Sequence, residues 1–204
     1  MYNHHHKLRR KYTSKTLNEP DEALCCPLFR GWFDILSLLV LSYYFYNVDV
    51  KYYFALSLVY LSHIFSGIFH LCYFENYKME RIIRNIDILF INMHICGIYL
   101  FKRELNLLYF IYMFCICIIH FYVYRVDNYM ISKGVIIINF IILVIFTACN
   151  RTILSYTFAL CGMLSYQLGH RYGFLNNKYF SFHELFHFFV FMSNILLCQN
   201  LIDK

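Results

Sequence analysis

Proline is nearly missing from this sequence. The two it has, Pro20 and Pro27, both precede Leu28, so no later apolar stretch is broken by a ring that cannot continue a helix. Charge is scarce too: 15% of the 204 residues are Asp, Glu, Lys or Arg, against about a quarter in a soluble domain. That deficit argues against an ordinary water-soluble globule and for a protein whose solvent is largely lipid. No two of the nine cysteines stand at C-x-x-C spacing. Seven of them (Cys72, Cys96, Cys115, Cys117, Cys149, Cys161 and Cys198) fall in apolar segments, where they read as small packing residues and not as a disulfide scaffold. Internal repeats are absent, and the breaks between apolar stretches are too short to hold a soluble domain. A cleavable signal peptide is not expected, because the first apolar stretch begins near Leu28 after a long polar and basic lead.

What is abundant is hydrophobic. Such residues make up 60% of the chain, with 22 Phe and 20 Tyr, and the mean hydropathy is +0.50. Apolar runs separated by short charged breaks predict seven helices: Gly31–Tyr46, Tyr52–Phe74, Ile86–Phe101, Leu105–Tyr124, Gly134–Thr147, Ile153–Gly169 and Phe180–Leu201. Several approach the roughly 20 residues that cross a bilayer. The expected fold is therefore all-α, a polytopic seven-transmembrane helix bundle over residues 31–204, preceded by a polar, basic tail over residues 1–30.

Lys and Arg set the expected orientation. Lys7, Arg9, Arg10, Lys11, Lys15 and Arg30 in the tail share a side with Lys78, Arg81, Arg84, Arg125, Lys133, Arg171 and Lys178. Only Lys51, Lys102, Arg103, Arg151 and Lys204 fall on the other. The positive-inside rule then puts the N-terminus in the cytoplasm and the C-terminus outside or in a lumen. The stretch "KLRRKYTSK" can also rest on anionic headgroups. Cys25 and Cys26, just before the first span, are candidates for reversible acylation. His4, His5 and His6 read as part of a solvated tail. Membrane lipids are the expected partners, and nucleic acid is not expected to be one.

The segment "SFHELFHFF", Ser181 to Phe189, contains His183-Glu184-Leu185-Phe186-His187. Read literally this is H-E-x-x-H: two imidazoles on one helical face, with a Glu placed to serve as general base of a metallopeptidase. An intramembrane metalloprotease also takes an Asp ligand, typically from a Leu-Asp-Gly segment. This chain has no such segment, and Val126-Asp127-Asn128 falls in a predicted loop.

The seven-span topology brings other polar groups to the depth of this pair. Span two runs inward and ends with Ser66 and His70, at i and i+4. Span three starts at the same face with Asp87, and span seven starts there with His183 and His187. Ionisable groups inside spans are costly and tend to mark function. Three imidazoles are a usual protein set for a catalytic zinc, with the fourth position left for water. Asp87 could orient or deprotonate that water, and the Ser66 hydroxyl could donate to a developing oxyanion. The competing account is structural, with the histidines hydrogen-bonding between helices.

"SGIFH" (Ser66–His70), Asp87 in "RNIDILF" and "HELFH" (His183–His187) together resemble the seven-span hemolysin III and progestin/adiponectin receptor family. That family is grouped with alkaline ceramidases and myomaker-like proteins. The resemblance covers roughly Gly31 to Leu201. It implies a zinc bound by His70, His183 and His187, with Asp87 contacting metal-bound water. It also implies possible hydrolysis of a lipid amide or ester, the lipid lying in an intramembrane cavity. The segment after Asp87, "ILFINMHICGIYL", departs from the family in lacking the Tyr-Thr-Pro of hemolysin III proteins. A receptor or scaffold with structural zinc is the alternative the same family allows. On this reading Glu184, about 100° around the helix from His183, is a bystander facing a neighbouring helix or the interface near Lys178.

A second polar layer is predicted seven residues deeper. His63, His94 and Asn194 follow the register of His70, Asp87 and His187, and line either the upper part of a cavity or an interhelical hydrogen-bond layer. Asp34, at i+4 from Arg30, reads as half of an interfacial ion pair.

Overall fold

The computed structural model describes residues 31–72, 77–100, 107–126, 129–149, 152–172 and 182–202. The tail, with its histidine tract, Cys25, Cys26 and Arg30, lies outside them. The described residues form seven α-helices: α1 Trp32–Asn47, α2 Tyr53–Leu71, α3 Tyr77–Leu100, α4 Leu107–Val126, α5 Tyr129–Thr147, α6 Ile153–Tyr172 and α7 Phe182–Ile202. A 3-10 turn, Val50–Tyr52, leads into α2.

These helices follow from long apolar runs without proline, and their hydroxyls are satisfied locally. Ser42, Ser57, Thr157 and Ser165 each donate to the carbonyl four residues back, so a polar side chain sits in an apolar helix without competing for its backbone. All seven predicted helices are present. The largest difference is at α3, which starts at Tyr77 and not near Ile86. Charged residues end an apolar run but do not end a helix. Here the polar turns are held by α4: Arg81 donates to the Tyr124 carbonyl at 2.7 Å and lies over its ring, while Glu80 is buried. Asp87 therefore sits about three turns into its helix, not in the first.

Neighbouring helices run up and down. One apolar core joins Leu41 of α1, Ile98 and Leu100 of α3, Leu143 of α5 and Leu197 of α7 to Ala55 and Leu56 of α2, Tyr109 of α4 and Tyr156 of α6. The first group lies in the C-terminal halves of its helices and the second in N-terminal halves. α2 packs on α1 and α3, α7 on α1 and α6, and α3 also on α4 and α5. The α2–α3 contact is close at Gly97, where an added Cβ would stand 2.7 Å from the Ala55 carbonyl oxygen.

Away from this apolar end the bundle interior turns polar. Asn92 of α3 donates to His120 of α4 at 2.9 Å, and Asn139 of α5 donates to Asn92 Oδ1 at 2.9 Å. Tyr112 of α4 donates in turn to Asn139. Buried amides and imidazoles are thus matched to one another across three helices, as a low-dielectric interior requires.

Among the described residues, two helical stretches are long and apolar enough to cross a membrane: Val50–Leu71, with mean hydropathy 1.6, and Lys78–Leu100, with 1.3. Three further apolar helical segments are shorter: Leu107–Tyr122, Lys133–Thr147 and Ile153–Tyr166.

Candidate metal centre

The end of the bundle opposite the apolar core gathers the starts of α1 and α7, the end of α2 and the first half of α3. His70 stands one residue before the end of α2, one helical turn after Ser66, so both face the same way. His183 and His187 are one turn apart at the start of α7. The α1–α2 approach here depends on Gly31, whose φ of 83° is one that side-chain-bearing residues seldom adopt. A Cβ at that position would meet Leu71 Cγ at 2.8 Å and His70 Cβ at 3.2 Å.

Three imidazoles meet at this end. His183 Nε2 lies 3.2 Å from His70 Nε2 and 2.9 Å from His187 Nε2, and one ligand nitrogen from each ring falls within 4.8 Å of the others. Three nitrogens at zinc distance, about 2.0–2.1 Å, stand about 3.3 Å apart around a tetrahedral ion. The donor set therefore fits a metal. Neutral rings alone make a poorer account, since three nitrogens aimed at one point cannot all donate and accept in turn. Tyr166 of α6, with its ring 5.6 Å from that of His183, forms one wall. Lys133 of α5 lies over the outer part of that wall, 5.0 Å from the Tyr166 ring centre.

The carboxylates of Asp34 and Asp87 are buried here. Asp87 is 5% exposed and interacts with Ser66, Asp34 and His187, while its Oδ1 has no hydrogen-bond partner among the described residues. An unpartnered buried carboxylate oxygen beside three convergent imidazoles is a second feature that fits a bound cation or a polar reactant. Ser66 donates to Asp34 Oδ2 at 3.1 Å. The residues singled out in sequence, Ser66, His70, Asp87, His183 and His187, are thus brought together.

Arg30, the ion-pair partner expected for Asp34, lies outside the described residues, and Asp34 itself sits deeper than an interfacial residue. It is 1% exposed and faces the bundle interior: Oδ1 accepts from His63 Nδ1 at 2.9 Å, Oδ2 accepts from Ser66, and Oδ2 lies 3.6 Å from His187 Nδ1. The signal that would have found it is the depth argument itself. α1 starts at the face where α2 ends, so Asp34 belongs at the level of His70. Of the two placements expected for Glu184, burial fits the one inside the bundle and not the interfacial one: it is 1% exposed and interacts with His187.

The predicted second layer is assembled as a hydrogen-bonded set. Asn194 donates to His63 Nε2 at 2.9 Å and accepts from His94 Nε2 at 3.0 Å, and His94 Nδ1 pairs with Ser62 Oγ at 2.7 Å. This is the interhelical hydrogen-bond arrangement, reaching from α7 to α2 and α3.

No protein-family model matches the chain, and no curated protein matches it in sequence.

Proposed function

We propose that this chain is a seven-span integral membrane protein that binds zinc and hydrolyses a lipid amide or ester near the cytoplasmic face. The observation that carries the reading is the convergence of three histidine Nε2 atoms, from two helices, beside the unpartnered Oδ1 of Asp87.

The membrane part of the reading is supported by which residues face out. Leu108, Phe114 and Ile145 are 75%, 66% and 71% exposed, whereas Asn92, Asp34 and Glu184 are 1% exposed or less. A bundle with polar groups inside and large apolar groups outside suits a lipid solvent.

His70, His183 and His187 would hold the metal through Nε2. Zinc supplies Lewis acidity toward an ester or amide carbonyl and toward a water molecule. The protein's own residues divide the rest of the work. The Asp87 carboxylate takes a proton from the attacking water and returns it to the departing alcohol or amine, a general base and then a general acid. Ser66 is placed to donate to the oxygen that gains charge, its proton turning from Asp34 Oδ2 toward the substrate. On this reading the substrate is a membrane lipid that reaches the imidazoles from within the bilayer.

The test has two parts. Zinc per mole is measured in detergent-purified protein, and the lipids of cells expressing wild type are compared with those expressing His183→Ala. One bound zinc and a lipid amide or ester that accumulates with the variant are expected. A zinc-replete protein that alters no sphingolipid, acylglycerol or phospholipid would favour a receptor or scaffold instead.

A further inference from the structure

The donor–acceptor pattern around Asp34 has one direction. A carboxylate only accepts, so His63 donates to it through Nδ1–H at 2.9 Å. A neutral His63 then has a bare Nε2, which takes the Asn194 amide N–H at 2.9 Å. An amide has fixed ends, so Asn194 Oδ1 is left facing His94 Nε2–H at 3.0 Å. His94 Nδ1 in turn faces the Ser62 hydroxyl at 2.7 Å. Each link fixes the tautomer of the next, and Asn194, which does not titrate, holds the polarity of the whole row. All five groups are buried, with none more than 8% exposed.

The row ends on Asp34 Oδ1. The other oxygen, Oδ2, faces His187 Nδ1 at 3.6 Å, on the side of the ring away from the three-histidine convergence. We infer that Asp34 is the positioning carboxylate of the metal centre. It orients His187 by accepting its Nδ1–H, leaves Nε2 as the ligand atom, and is itself held by the row His63–Asn194–His94. Metal-binding histidines commonly donate their second N–H to such a partner, which fixes the ring and raises its basicity. At 3.6 Å the contact is an ion-pair distance. This inference rests on the metal reading given above and extends it to α1, a helix that contributes no ligand.

The test is zinc affinity in the purified full chain, by competition with a chromophoric chelator, for wild type, Asp34→Asn and His187→Ala. Asp34→Asn keeps the size of the side chain and removes its charge. It is expected to weaken zinc about 10- to 100-fold, whereas His187→Ala removes a ligand and weakens it further. The cobalt-substituted Asp34→Asn protein is expected to show shifted visible bands, since the orientation of one ligand has changed. Wild-type affinity in folded Asp34→Asn would overturn the inference while leaving the metal reading intact. Absence of zinc binding by wild type would overturn both. If Asp34→Asn does not fold, nitrogen-15 NMR of histidine-labelled, zinc-loaded wild type decides. A protonated Nδ1 on a zinc-bound His187 is expected, and ligation of His187 through Nδ1 would overturn the inference.

Discussion

His70 on α2 and His183 on α7 are separated by 113 positions in the chain, yet their Nε2 atoms lie 3.2 Å apart. Such an approach requires the end of α2 and the start of α7 to meet at one level. α1 mediates that meeting, since it packs on both helices.

Replacing any one of His70, His183 and His187 with Ala is expected to abolish stoichiometric zinc in the purified protein. Elemental analysis of the three variants checks this. Retention of a full equivalent of zinc by His70→Ala would remove α2 from the ligand set and revive an arrangement built on H-E-x-x-H alone.

Asp87→Asn is expected to keep most of the zinc and lose lipid hydrolysis by a factor of about 10² or more, in line with the loss of a general acid–base group. Metal content and turnover measured on the same preparation separate the two effects. Equal losses of metal and activity would instead make Asp87 a fourth ligand.

Glu184→Gln is expected to leave activity within a few-fold of wild type. Glu184 interacts with His187 from one turn away, and the hydrolysis proposed around Asp87 needs no second general base. If the substitution abolished turnover with zinc retained, the peptidase reading of "HELFH" would take precedence, and a peptide substrate would be sought.

Gly97→Ala is expected to destabilise the bundle by about 1–3 kcal/mol, because the added Cβ meets a backbone oxygen that cannot turn aside. Thermal unfolding in detergent should show a lower midpoint, with zinc affinity unchanged in the protein that remains folded. The clash lies near the apolar end, at the level of Ala55 and Leu58, far along α2 from His70.

Helix number and approximate position were legible because apolar runs alternate with charged breaks, a pattern that needs no knowledge of neighbours. The start of α3 was not, since Lys78, Glu80, Arg81 and Arg84 are polar residues that still belong to a helix. The histidines of the centre were legible from their i, i+4 spacing and from alternating helix direction. Asp34 was not legible as a member of the site, because its partners His63, Ser66 and His187 lie across the bundle and not along the chain. The row linking Asn92, His120 and Asn139 left no trace in the sequence. Each is a lone polar residue in an apolar run, and their meeting depends on α3 lying against both α4 and α5, which hydropathy does not encode.

Gly31 connects the thirty preceding residues to the bundle through one left-handed backbone position seated against His70 and Leu71. A side chain at position 31 would press on the turn that carries His70, so the seating of α1 beside the three imidazoles depends on one missing methyl group. Affinity handles and fluorescent fusions for work on this protein belong after α7, at the end remote from the imidazoles.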